Sequence, residues 1–561
     1  MGIIKTPFTW LTVMVVLSSA GCGSKRSGVD AELSSIDLLR GDIALCGDPE
    51  FGEIDFSLSC DAEVKKSFDL AISLLHSFEY DEAEKAFVKV IDQDPECVMA
   101  YWGVAMSNFH SLWLQSGTDY LEKGSKILAL AEALPKSERE RDYLEAIGSF
   151  YKDWKTTDRK SRLVGFEKKM GELYEKYRDD QEAAIFYALA LNATADPGDK
   201  TYSNQKKAGL ILQSIAQEQP NHPGISHYLI HNYDYPELAE MALPMARRYA
   251  QIAPASAHAQ HMPSHIFIRL GLWDESIHSN INSVSSALCY SQNSNPDAHW
   301  DEELHGMDYL VYAYLQVGAN SKANEQYEYL KTIKKVFPEN FKIAYSAAAI
   351  PARIVLENRN WKDAAVLKLP DLLEIDWSKF PWQKAILHFT RAMGSLHLSD
   401  IPSAEKELAL MDSLHQELLN SGNAYEADQV KIQMLEVAAW MALKKGDLEK
   451  AVTLMKEAVH REDNTAKHPV TPGEVLPAGE LLGDLYLTIN RPQEALEAYE
   501  NDLTRHPNRF NGLYGAAMAA RQTNDIERST GYFAELLELT EAHDSDRPEL
   551  KEAGKFLGKN N

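Results

Sequence analysis

"LPAGELLGDLYLTINRPQEALEAYENDLTRHP", residues 476–507, is the stretch that decides the fold. Counted from Leu476 as the first position, Gly483 stands at 8, Tyr486 at 11, Ala495 at 20, Tyr499 at 24 and Pro507 at 32. Small residues at 8 and 20 let two antiparallel helices approach closely, and the large ones fill the gap to the next pair. The same ruler fits Ala71, Leu74, Ala83, Phe87 and Pro95, and runs on in register to Ala105. After Pro507 it continues with Ala517, Ser529 and Phe533. Further units centre on "GDLEKAVTLM", "IPSAEKELAL", "NWKDAAVL" and "ANSKANEQYEYL". Past residue 64 the apolar residues keep a helical period and strand alternation is absent. One such unit cannot bury its apolar face alone, so the units must stack into an all-α helix-turn-helix solenoid. Three Gly-, Pro- and Asn-rich insertions interrupt it: "NATADPGDKTYSNQ", "CYSQNSNPDAHWDE" and "TAKHPVTPGEV". They read as loops at a rim of the superhelix.

The chain has 561 residues, too many for one ordinary core, and its 45% hydrophobic and 25% charged content is that of a globular protein. A formal net charge of −26 disfavours polyphosphate partners, so no nucleic acid is expected. The first residues read as a targeting segment, with Lys5 ahead of the short apolar run "FTWLTVMVVLSSAG". "LSSAGC" resembles a bacterial lipoprotein signal, which makes residues 1–22 the leader and Cys22 the lipidated residue; Ser19 stands where such signals prefer Leu. The alternative is secretion with cleavage nearby. Residues 23–63 then form a tether and a loop that a Cys46–Cys60 disulfide would close in an oxidising compartment. Cys97 and Cys289 read as buried small hydrophobes.

Two histidine pairs lie on the repeat ruler. With Ala242 at position 20 and Pro254 at 32, His227 takes position 5 and His231 position 9. The next unit has Ser276 at 20, His258 at 2, His261 at 5 and His265 at 9. The one after has Ala323 at 20, His305 at 2, Asp308 at 5 and Tyr312 at 9. Histidines four apart share a helix face and can share a metal ion. Pro263 falls inside the second of these helices and should kink it. His76, His110 and His388 read as packing residues, His222 as a loop residue, and His299 as a weaker candidate.

The chain resembles a group of bacterial tetratricopeptide-repeat (TPR) lipoproteins through "LLHSFEYDEAEKAF", "DPECVMAYWGVAMS", "HYLIH", "HAQHMPSHIFIRLGLWDES", "PAR" and "ELLGDLYL". "HMPSHI" is the most specific of these. The resemblance implies a right-handed TPR superhelix, with an N-terminal array over 64–345 carrying the histidines and a C-terminal array over 346–561. It further implies that positions 2, 5, 9 and 12 of each first helix line the concave groove. The seven residues His227, His231, His258, His261, His265, His305 and Asp308 would then meet on one wall with Tyr312. The group often carries a second histidine where this chain has Asp308. The same ruler adds Arg353, Glu436, Trp440, Glu480 and Asp484 to the groove, of which Arg353 is the candidate for a substrate or carboxylate contact and the rest read first as a solvated polar face.

Imidazole with carboxylate suits Zn, Cu or Fe, so the first functional reading is a lipid-anchored envelope protein whose groove holds a metal centre for hydrolysis or oxidation. The second is a non-enzymatic TPR adaptor that binds a peptide or partner protein there, with a polar or pH-sensitive groove in place of a metal site. A small-molecule ligand in the groove fits the first. No phosphate loop, nucleophile elbow, Cys-x-x-Cys or His-Glu-x-x-His motif is present, so any catalysis falls to the histidines.

Overall fold

The computed structural model describes residues 1–2, 32–44, 46, 50–112, 117–370 and 374–558. The leader and Cys22 lie outside the described residues. From Lys65 onward the chain is a succession of antiparallel helix pairs, starting with Lys65–His76 and Tyr80–Gln93 and reaching Phe510–Gln522 and Ile526–Thr540. The only strands among the described residues are His299–Trp300 and Val336–Phe337, which pair in parallel. Tight turns join the helices of a pair, and an aspartate often caps the second one. Gly446 takes a φ of 84° and Asp447 accepts from the Lys450 amide at the start of Leu448–Asn464.

The small residues of the ruler do what their size suggests. The Tyr499 ring is wedged between Gly483 and Gly515, and a Cβ on Gly483 would come within 2.6 Å of that ring. Tyr499 cannot yield, because it is fully buried and its hydroxyl donates to Asp484 at 2.6 Å. Gly483→Val should therefore cost about 1–3 kcal/mol by overpacking, measured by urea denaturation. An unchanged midpoint would mean that the helices have room to part.

The superhelix curls tightly enough to fill its own interior. The first repeat meets the fifth, where Phe78 packs on His227 with ring centroids 4.4 Å apart. The last repeats close on the middle, where Trp273 donates to the Asn508 carbonyl at 2.8 Å and the Arg509 guanidinium reaches the Tyr312 hydroxyl at 3.0 Å. The first helices Pro223–Tyr233 and Ala257–His261 are thus buried on every side. Every residue of Asp301–Gln316 is buried. The third insertion is not at a rim. Val470, Thr471, Val475 and Leu476 are buried, and the Val470 carbonyl accepts from the Tyr309 hydroxyl at 3.1 Å. The sequence division at 345/346 falls inside the helix Phe341–Glu357. That helix gives Ile343, Ala347, Ile350 and Ile354 to the core on one side and Tyr345, Ala348, Ala349 and Ala352 to the core on the other.

The disulfides differ from the expected loop. Cys46 pairs with Cys289 and Cys60 with Cys97. Phe51 and Phe56, between the two expected partners, are buried, and Phe56 packs against Phe68, Trp102 and Tyr143. Seating these rings stretches the segment along the first repeats, so its two cysteines face different helices. Cys97 and Cys289 are accordingly cross-links and not inert core residues.

A candidate metal centre of six histidines

Three helices build the centre. Pro223–Tyr233 starts with Pro223 in its first turn and carries His227 and His231 one turn apart. The second helix is interrupted at Met262, giving Ala257–His261 and Pro263–Arg269, because Pro263 lacks the amide that would continue the ladder. Ser256 caps its start by accepting from the Ala259 amide. Asp301–Gln316 supplies His305.

The six histidines form two trios. His227, His231 and His258 make one, His261, His265 and His305 the other, and in each trio one ligand atom per residue lies within 4.8 Å of the rest. The Nε2 atom of His227 is 3.0 Å from that of His231 and 3.2 Å from that of His258. In the second trio the Nε2 atoms of His261 and His265 are 3.1 Å apart, and the His305 ring centroid is 4.2 Å from that of His261. The trios adjoin, with ring centroids 6.3 Å apart for His231 and His265 and 6.5 Å for His258 and His261.

The outer nitrogens fix the tautomers. His227 Nδ1 donates to the His76 carbonyl at 2.6 Å. His261 Nδ1 donates to Asn280 Oδ1 at 2.7 Å, and the Asn280 amide is oriented by its own donation to the Ser276 carbonyl. His265 Nδ1 donates to Asp234 at 3.1 Å; although burial opposes ionisation, Lys467, Arg269 and His265 hold this carboxyl far below the usual range, so it is an acceptor. His258 Nδ1 lies 3.7 Å from Glu302. Burial, followed by neighbouring imidazoles, holds His227, His231, His261 and His305 well below the ordinary histidine value, and burial brings His265 down to about 4. With both Nδ1 atoms donating outward, the Nε2 lone pairs of His261 and His265 face each other across 3.1 Å, and the Tyr309 hydroxyl lies 3.3 Å from the latter. Buried acceptors facing acceptors are costly, and a cation between them removes the cost.

Asp308 is not part of either trio. It is ion-paired with Arg353 in full burial, and burial raises its pKa to about 6. Arg353 also donates to the Gly473 carbonyl at 2.9 Å, so the carboxylate it meets is the protein's own. The other residues assigned to an open groove are packed into the interior, except Asp484, which is half-buried. Tyr312 accepts from Arg509, which also pairs with Glu480 at 2.9 Å and Glu357 at 2.7 Å. Trp440 is buried with its ring centroid 4.5 Å from that of His397. Asp484 pairs with Arg359 at 3.0 Å, and Glu436 is buried. The reason is the curl of the superhelix, which turns a solvated face into an interior.

Some groups around the centre escaped the sequence. His76 and His222 hold the two oxygens of Glu182 at 2.9 and 3.0 Å in a third buried cluster. Nothing in the register links them, since the three residues come from different repeats. Asp234 was legible, because it follows His227 at position 12 of the same ruler. His299 bonds to Glu303 at 2.8 Å, His388 to Glu407 at 2.6 Å, and His110 packs between Tyr80 and Tyr120.

One of the six histidines, His231, borders a cavity. This cavity of about 480 Å³ is walled by His231, Asp234 and Tyr235 from the histidine repeats and by Tyr425, Lys467 and Pro469 from the C-terminal ones. It is large enough for a small organic molecule.

A search of curated proteins finds no match to the chain. Among solved structures the chain is similar to the crystal structure of the APC/C hetero-tetramer Cut9-Hcn1, with 12% identity, a TM-score of 0.32, and coverage of 88% of this chain and 89% of that one. The tetratricopeptide-repeat family pattern matches residues 481–545, and the protein is an all-α solenoid of TPR type.

Proposed function

We propose that this protein is a metalloprotein of the cell envelope whose curled TPR solenoid holds two transition-metal ions, one in each histidine trio. The observation that carries the reading is the inward-facing pair of Nε2 lone pairs on His261 and His265, fixed by Asn280 and Asp234. Outer-nitrogen hydrogen bonds to carbonyl, amide and carboxylate groups are the usual way in which a protein orients metal-binding imidazoles. Three imidazoles with no thiolate suit Zn, Cu or Fe and leave a coordination position open. A metal there supplies water activation for hydrolysis or, for Cu or Fe, oxidation. The cavity at His231 supports access for a small substrate. Two disulfides support an oxidising compartment, and the leader reading adds a lipid anchor at Cys22.

TPR arrays commonly serve as protein-interaction scaffolds, so a partner protein remains part of the reading. With the first helices of the histidine repeats buried, such a partner meets the outer faces. The test is elemental analysis of the full chain after dialysis against Zn, Cu or Fe salts in turn. Two ions per chain are expected for at least one metal. Failure to retain any of the three overturns the metal reading and leaves the scaffold.

A further inference from the structure

Beside the histidine cavity lies a narrower crevice of about 20 Å³, room for one small polar group. Tyr345, Trp382, Tyr425 and His468 line it, together with Glu436 and Glu462. The rings form a continuous wall, with centroids 5.4 Å apart for Tyr345 and Trp382, 5.7 Å for Trp382 and His468, and 5.6 Å for Tyr425 and His468. Tyr425 and Lys467 border both spaces, so the crevice and the histidine cavity adjoin.

The acidic side is under-compensated. Glu436 is 1% exposed, and its Oε2 meets no donor. Gln433 Oε1, also on the crevice wall, meets none either. Glu462 accepts from the Ala478 amide at 2.9 Å, and Glu474 is answered by His506 at 3.2 Å. Lys467, the cation on the wall, is committed to Asp234 at 3.1 Å and to the carbonyls of His468 and Thr471. A buried carboxylate oxygen without a donor calls for one from outside. Aromatic faces next to it select an organic ammonium over a hard metal cation, which would need a shell of oxygens.

We propose that the crevice binds the ammonium group of an alkylamine, a free amine or a lysine side chain, and that the rest of the guest lies in the adjoining cavity against His231. Binding of the amine stands on the crevice alone; its being what the histidine centre acts on rests on the metal reading above. The groups facing Glu436 and Glu462 are Glu474, Asp502 and His506. Burial, followed by the neighbouring carboxyls, pushes both groups well above their usual values although His506 opposes this at Glu462, so an entering ammonium should displace a proton to the buffer.

The experiment is calorimetric titration of the full chain at pH 7, with metal content measured on the same sample. The probes are n-hexylamine, n-hexanol and the tripeptide acetyl-Gly-Lys-Gly-amide. An amine-bearing probe should bind at least about tenfold more tightly than hexanol, with a heat that varies with the buffer's ionisation enthalpy. Tighter binding of hexylamine marks a free amine as the guest, and tighter binding of the tripeptide marks a lysine side chain; either supports the proposal. Glu436→Gln should weaken binding about tenfold at unchanged melting temperature. Equal affinity for amine and alcohol overturns the proposal, as does full affinity in both Glu436→Gln and Glu462→Gln. Should these variants fail to fold, the amine-to-alcohol comparison on the native chain decides. Metal-loaded protein that ignores both amines sinks this proposal alone, whereas metal-free protein that binds them sinks only the metal reading.

Discussion

Replacing Arg509 by methionine should destabilise the full chain by about 3–5 kcal/mol. The guanidinium is fully buried and serves Glu357 at 2.7 Å, Glu480 at 2.9 Å and Tyr312 at 3.0 Å. Methionine fills part of the volume but leaves two buried carboxylates without their cation. Even with Arg509 in place, burial holds Glu480 up at about 7. Glu357 keeps only Gln316 and Asn511 as partners, at 3.2 and 2.8 Å. Lysine should not rescue the loss, because one ammonium cannot present the forked donors that reach three partners at once. Urea denaturation measures the effect, and a loss under about 1 kcal/mol would mean that the interior relaxes around the vacancy. The consequence reaches the histidines, since Arg509 joins the last repeats to Asp301–Gln316, the helix that carries His305.

The second large effect concerns metal stoichiometry. His227→Ala combined with His231→Ala should lower the metal content from two ions to one, and His261→Ala with His265→Ala should remove the other. Each double variant takes two of three imidazoles from one trio and leaves the neighbouring trio whole. Elemental analysis after dialysis reads the result, with circular dichroism as the control for helical content. If either pair removed all metal, the six histidines would share a single site. If neither changed it, the metal would reside elsewhere.

The helical repeats and the placement of the histidines were legible because both depend on local chemistry. Small residues at fixed spacing set how closely two helices pack, and positions 2, 5 and 9 share one face of a helix whatever lies beyond it. The interruption at Pro263 follows in the same way from a missing amide. Asp308 shows where this reasoning stops. It stands on the ruler beside His305, yet an arginine from the next repeat claims it, and a buried guanidinium pairs with a carboxylate more strongly than an exposed one does. The same holds for Glu182, whose two histidine partners lie 106 and 40 residues away.

The sequence by itself determined that this chain stacks helix pairs and carries histidines on the inner face of consecutive repeats, since period and residue size act within one unit. Only the tertiary structure decided that the solenoid curls until its first repeat meets the fifth and its last repeats meet the middle, that the histidines divide into two trios, that the 465–475 insertion packs against the histidine repeats, and which cysteines pair. Those outcomes depend on small rotations between repeats, summed over the whole array. No single repeat encodes that sum, and it is read only once all the interfaces have packed.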